Sequence, residues 1–187
     1  MTVQDLLVRL VGALETAEVP YMLTGSYASS LHSIPRATRD IDIIIFPNRD
    51  QLTRFIQSLP DSKYATDLED ALDCLRRRSS SFNIVDYATG WKVDFIIPSF
   101  DEFNVEEFER RRIIDVDGLQ LSVVSAEDIV IAKLLWGRAG ESERQLEDAA
   151  TVVRLQASNL DVQYVERWVR KLQLERQWDW VRARAAG

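Results

Sequence analysis

Val3, Leu6, Leu7, Leu10, Val11 and Leu14 recur three and four residues apart, the spacing of one helical face, and predict an amphipathic helix over 3–18. Pro20 ends it, and Tyr21-Met22-Leu23-Thr24 reads as a short strand ending at Gly25. Residues 26–33 read as a short helix opening at Ser26. From Arg39 to Phe46 the pattern changes to alternation inside a β-branched run. Strand side chains alternate with period 2, so Asp40 and Asp42 share one face while Ile41, Ile43 and Ile45 point into a core. Asn48 can cap a helix over about 49–59, and Thr66 with Glu69 forms a capping box for another through roughly Arg77. Phe82 to Tyr87 and Trp91 to Ile97 are strands separated by Ala88-Thr89-Gly90, and a helix over about 101–111 follows. Ile113–Val116 and Leu119–Val124 flank Asp117-Gly118, the strongest short hairpin signal in the chain. Ser125 with Asp128 caps a helix over 126–137. Beyond it the pattern is helical only, at about 142–156, 161–172 and 175–185. The expected class is α+β, with a front of about 125 residues and an all-helical back.

Composition changes this picture little. A chain of 187 residues is one domain, or one with an appendage, and 46% hydrophobic residues suffice for a core. No apolar run approaches the roughly 18–20 residues that span a membrane, and the N-terminus lacks a signal-peptide layout. Cys74 is the only cysteine, which excludes an internal disulfide and a cysteine-based zinc site. A cytoplasmic location is the expectation. The net charge of −7 argues against a general phosphate-backbone binder. Arg76-Arg77-Arg78, Arg110-Arg111-Arg112 and the basic residues of the last helices run the other way. They read as solvated helix ends or as a contact for nucleic acid or an acidic partner.

The candidate chemistry lies on the strands. Two carboxylates side by side raise each other's pKa or need a cation, and oxygen-only ligands favour magnesium over zinc. Asp94, in Trp91-Lys92-Val93-Asp94-Phe95-Ile96-Ile97, is a third costly acid in an apolar strand. If that strand lies beside Asp40 and Asp42, three carboxylates converge, as two-metal phosphoryl transfer needs. Gly25-Ser26 would supply the other half. A glycine at a strand-to-helix junction lets backbone approach a ligand, the helix start favours a phosphate, and Ser26 adds a hydroxyl.

Gly25-Ser26, thirteen residues, then Asp40-Ile41-Asp42, with Asp94 on a later strand, resembles the nucleotidyltransferase superfamily with the polymerase-β-like core. Within it the chain is similar to the branch of AbiEii-type and MenT-type toxin nucleotidyltransferases and their small uncharacterised relatives. Ala28, the run Arg36-Ala37-Thr38-Arg39-Asp40-Ile41-Asp42, Ser125-Ala126-Glu127-Asp128 to Lys133, and Arg144 to Asp148 carry that finer likeness over roughly residues 20–155. The resemblance implies a mixed β-sheet flanked by helices with a C-terminal helical bundle. It divides the chain into a core at 1–124 and a helical region at 125–187 that completes the cleft for nucleotide and acceptor.

It also implies transfer of an NMP from an NTP (ATP, GTP or CTP) to a hydroxyl on a tRNA 3′ end or a protein. Asp40, Asp42 and Asp94 would be catalytic and metal-binding, with Gly25, Ser26, Lys133, Arg36 and Asp148 at the nucleotide and Mg²⁺ or Mn²⁺ as cofactor. A cognate antitoxin is an expected partner, and a membrane is not. On residues alone, Lys133 reads as a lysine snorkelling off a core helix. Asp148 reads as an exposed acid or an anchor for Lys133, and Arg36 as a loop salt bridge. His32, the single histidine, reads as a helix-end hydrogen bond. The alternatives are a catalytically retired nucleotide-binding or antitoxin-like module, a phosphohydrolase, which would want more histidines, and a purely structural domain, which leaves Asp94 unexplained.

Overall fold

In this computed structural model, residues 2–33, 40–78, 80–140 and 142–186 are described. Their elements follow the alternation of the sequence closely. The order is α1 (Val3–Thr16), β1 (Tyr21–Thr24), α2 (Gly25–His32), β2 (Asp40–Ile45), α3 (Arg49–Ser58), β3 (Tyr64–Ala65), α4 (Leu68–Arg77), β4 (Ser80–Asp86) and β5 (Lys92–Ile97). Then come α5 (Glu102–Glu109), β6 (Arg112–Val116), β7 (Leu119–Val123), α6 (Ala126–Gly140), α7 (Glu143–Gln156), α8 (Val162–Leu172) and α9 (Glu175–Ala186). The chain divides into two compact units, Met1–Tyr27 with Ala37–Val123 and Ala28–Arg36 with Val124–Gly187.

The first unit holds a seven-stranded mixed sheet in the order β3-β4-β5-β2-β1-β7-β6. The β2–β5 and β1–β7 pairs are parallel, and the others are antiparallel. Register puts Leu23, Ile43, Phe95 and Phe82 in one row across β1, β2, β5 and β4. That face is the core. Ile41, Ile43, Val93 and Phe95 are fully buried, Phe55 of α3 meets Phe95 at 5.2 Å between ring centres, and Phe82 stacks on Phe95 at 5.3 Å. Such aromatic pairs add about 0.5–1.5 kcal/mol beyond their area. Asp117 and Gly118 both have positive φ, as a two-residue type I′ hairpin requires, and join β6 to β7.

One local expectation is corrected. The N-cap of α4 is Asp67 rather than Thr66: the Asp67 carboxylate accepts the Glu69 and Asp70 N–H groups at 2.8 and 3.2 Å. A carboxylate accepts more strongly than a hydroxyl at the positive end of a helix. Just before Thr66 lies a strand the sequence reading did not include, β3, whose two residues pair with Asp86 and Val85. That strand is too short to show a period.

The second unit is helical. Ile129, Val130, Ile131 and Leu134 of α6 are fully buried with Val152 of α7, and Val165, Trp168 and Val181 of α8 and α9 complete its core. Ser125 Oγ accepts the Asp128 N–H at 3.1 Å and donates to its carboxylate, whose other oxygen accepts from Tyr164 Oη at 2.5 Å. His32 ends α2 with Nε2 at 2.7 Å from the Val124 carbonyl. A carbonyl only accepts, so Nε2 carries the proton, and the histidine is engaged in the hydrogen bond read for it.

Candidate active site

The polar face of the sheet is built by the same alternation that builds the core. Asp40 and Asp42 project from β2 on the side opposite Ile41 and Ile43, and Lys92 and Asp94 do so from β5. The parallel register sets Asp40 beside Lys92 and Asp42 beside Asp94. Neighbouring strands lie about 4.8 Å apart, so the Asp42 and Asp94 carboxylates start from adjacent positions on one face. Thr24 of β1 opposes Asp42, and Asn83 of β4 opposes Asp94. A row of Thr24, Asp42, Asp94 and Asn83 thus crosses four strands, from fully buried at Thr24 to exposed at Asn83.

Gly25 meets this row where β1 turns directly into α2. Its φ is +68°, a left-handed backbone that side chains rarely adopt. A Cβ there would lie 1.9 Å from Asp42 Oδ2 and 2.9 Å from Asp42 Cβ. The glycine is therefore demanded twice, by its backbone angle and by the carboxylate against it. Ser26 follows as a half-buried residue in the first turn of α2.

Charge on this face is partly balanced from within. Lys92 Nζ lies 2.9 Å from Asp94 Oδ2. That hydrogen bond, with the charges of Asp94, Asp40 and Asp42, holds the Lys92 pKa above the ordinary lysine value.

Lys133 is fully buried in the second unit, its ammonium donating to Gln145 Oε1 at 3.1 Å and to Asp148 Oδ2 at 3.2 Å. A buried lysine is costly without such a pair, so Asp148 anchors Lys133 in this arrangement. Arg36 lies outside the described residues.

The family described as Nucleotidyltransferase of unknown function (DUF6036) matches residues 2–182. The chain belongs to this nucleotidyltransferase family. The solution structure of the antibiotic-resistance factor ANT(2'')-Ia is similar to this nucleotidyltransferase with a TM-score of 0.56, at 15% identity over 94% of this chain and 96% of that one. The crystal structure of ANT(2'')-Ia in complex with adenylyl-2''-tobramycin gives 0.52, at 14% identity over 95% and 99%. An antigenic nucleotidyltransferase-like protein from Paracoccidioides brasiliensis gives 0.51, at 17% identity over 91% and 89%. At these identities the likeness is one of fold. It agrees with the expected mixed sheet flanked by helices and the helical C-terminal part. No curated protein matches the chain. Among the described residues no helix is long and apolar enough to cross a membrane.

For a nucleotidyltransferase the donor chemistry of the face fits divalent ions such as magnesium: it is oxygen-only, and two of its carboxylates are cross-strand neighbours. Among the described residues, however, no three ligating groups are gathered closely enough to hold an ion. The Asp94 carboxylate is engaged by Lys92 instead. Lys92 is the residue that motif reading passed over. Its signal was the spacing Lys92-x-Asp94, which on a strand means one shared face.

Proposed function

We propose that this nucleotidyltransferase transfers an NMP from an NTP to a hydroxyl acceptor and uses the Asp40/Asp42/Asp94 face with Mg²⁺ or Mn²⁺. The observation that carries the reading is the parallel register of Asp42 with Asp94 beside a glycine that can bear no side chain. Bound divalent ions supply charge neutralisation at the phosphates and lower the pKa of an attacking hydroxyl. Asp42 and Asp94 would hold them jointly, and Asp40 would complete the set from the next outward position of β2. Gly25 brings the start of α2 against the Asp42 carboxylate, and the phosphates would lie over Gly25 and Ser26, with the Ser26 hydroxyl as a donor. The acceptor oxygen bonds to the α-phosphorus while the bond to the bridging oxygen of the β-phosphate breaks. Pyrophosphate leaves, and the acceptor proton passes to solvent with help from Asp94. Catalysis here is positioning and electrostatics.

Arg36, Lys133 and Asp148 belong to this proposal as nucleotide contacts, and so does a cytoplasmic setting. The acceptor, an RNA 3′ end or a protein, and a toxin role beside an antitoxin rest on the motif resemblance alone. A small-molecule hydroxyl, such as the one carrying the adenylyl group in adenylyl-2''-tobramycin bound to ANT(2'')-Ia, is a further acceptor class to include in the assay. The Lys92–Asp94 ion pair favours one rival reading, a retired nucleotide-binding module in which the lysine has replaced the metal.

The test is incubation with each α-³²P-labelled NTP, Mg²⁺ and either total tRNA, the protein fraction or aminoglycosides. Label on one acceptor class that disappears with Asp42→Asn supports transfer and names the acceptor. NTP binding without label on any class supports the retired module.

A further inference from the structure

Three carboxylates on one sheet face repel one another, and the structure shows what stands among them. Lys92 and Asp94 are two residues apart on β5, so their side chains leave the sheet on the same side. Register then sets Lys92 beside Asp40 and Asp94 beside Asp42, so that these four residues mark the corners of a square. The ammonium chooses the Asp94 corner, at 2.9 Å from Oδ2. The Lys92 side chain is 45% exposed and that of Asp94 24%, so the pair is open to water. An exposed pair of this kind is weakly held, and the lysine stem is flexible enough for the ammonium to leave. Asp94 is thus held, but weakly.

We infer that Lys92 is an exchangeable counter-ion of the carboxylate face: it holds Asp94 until divalent ions arrive and then cedes it to them, setting the affinity of the face for metal. The inference rests on the metal-dependent reading above. Its physical content is competition. The ammonium relieves part of the repulsion between Asp42 and Asp94, the same work a divalent cation would do there. An ion entering between these two carboxylates must displace Lys92 from Asp94, which lowers its affinity by the strength of that contact and by repulsion from the displaced charge. Lys92 is therefore a positioning residue. Its consequence is that metal without nucleotide binds weakly, and that triphosphate oxygens are needed to complete the binding.

The experiment is Mn²⁺ binding without nucleotide, followed by electron paramagnetic resonance of free Mn²⁺, on the full chain and on Lys92→Met, Lys92→Arg and Asp94→Asn. Lys92→Met keeps the length of the side chain and removes its charge. It should bind Mn²⁺ roughly three- to tenfold more tightly than the unsubstituted chain, the range expected for one screened charge near a dication. Lys92→Arg should match the unsubstituted chain, and Asp94→Asn should bind more weakly. A merely structural lysine would leave metal affinity unmoved. If Asp94→Asn weakens binding while Lys92→Met leaves it equal or weaker, the counter-ion role is overturned and the metal-dependent reading stands. If Mn²⁺ binds only once NTP is added, and equally to the parent and Lys92→Met, the counter-ion role falls alone; if no protein binds Mn²⁺ even with NTP, the metal-dependent reading falls with it.

Discussion

Gly25→Ala separates the two demands placed on that glycine. A non-glycine residue in a left-handed backbone costs about 1–2 kcal/mol. The added Cβ would also overlap Asp42, with its Oδ2 at 1.9 Å, Cγ at 2.6 Å and Cβ at 2.9 Å. Turning the carboxylate away relieves the first two overlaps. It cannot relieve the third, because Asp42 Cβ moves only with the β2 backbone. Forced overlap of this kind costs about 1–3 kcal/mol. The sum, about 2–5 kcal/mol, is read as a loss of unfolding free energy in a urea titration. Asp42→Gly removes every overlapping atom, so in that background Gly25→Ala should lose only the backbone part. The double-mutant cycle then shows a coupling of about 1–3 kcal/mol, well above the roughly 0.3–0.5 kcal/mol within which independent sites add. Additive substitutions, or a Gly25→Ala protein as stable as the parent, would refute the close contact between this backbone and the carboxylate.

Three further outcomes follow from other parts of the chain. Asp86 is buried, paired with Arg9 at 2.8 Å and bonded to the Thr89 N–H and hydroxyl at 3.0 and 2.6 Å. Asp86→Ala should therefore cost about 3–5 kcal/mol in chemical denaturation, the range for breaking one side of a buried pair, and a loss under 1 kcal/mol would contradict that pairing. Burial, helped by the Glu15 charge, raises the Tyr21 pKa above its ordinary value near 10. A raised folded pKa means that this contribution to stability is complete below about pH 10 and is lost as pH rises through the folded pKa. Tyr21→Phe should flatten the alkaline fall of the denaturation midpoint, and an unchanged slope would remove Tyr21 as its source. Lys133→Met leaves Asp148 without its ammonium partner; it should destabilise by about 3–5 kcal/mol. If Lys133 also binds phosphate, the folded variant should raise KM for NTP, whereas an unchanged KM confines Lys133 to its ion pair with Asp148.

The elements with a clear period were legible from the chain. Alternation in 40–46 and 91–97 separates Ile41, Ile43, Val93 and Phe95 from Asp40, Asp42 and Asp94, and burial divides them the same way. Asp117-Gly118 announced its hairpin because few other residues accept two positive φ angles in succession. What the chain did not carry was strand order. β5 beside β2 is a non-local pairing made across β3 and β4, and no local pattern encodes the register that sets Asp42 beside Asp94. The two-residue β3 is too short to show a period, and at the start of α4 the adjacent Thr66 and Asp67 offered equivalent local cap signals. Lys133 stood out as a charge on an apolar helix, but only folding reveals that Gln145 and Asp148, in the first two turns of α7, supply its partners.

In the proposed function the carboxylates of β2 and β5 carry metal-dependent nucleotidyl transfer. Its most direct measurement is pyrophosphate release, counted against label transferred, for the parent, Asp42→Asn and Asp94→Asn in Mg²⁺ and in excess chelator. The expected result is equimolar pyrophosphate and labelled acceptor in the parent, none with chelator, and a fall of at least about a hundredfold in either variant with the fold intact. Equal release from parent and variants, or release that survives the chelator, would contradict it.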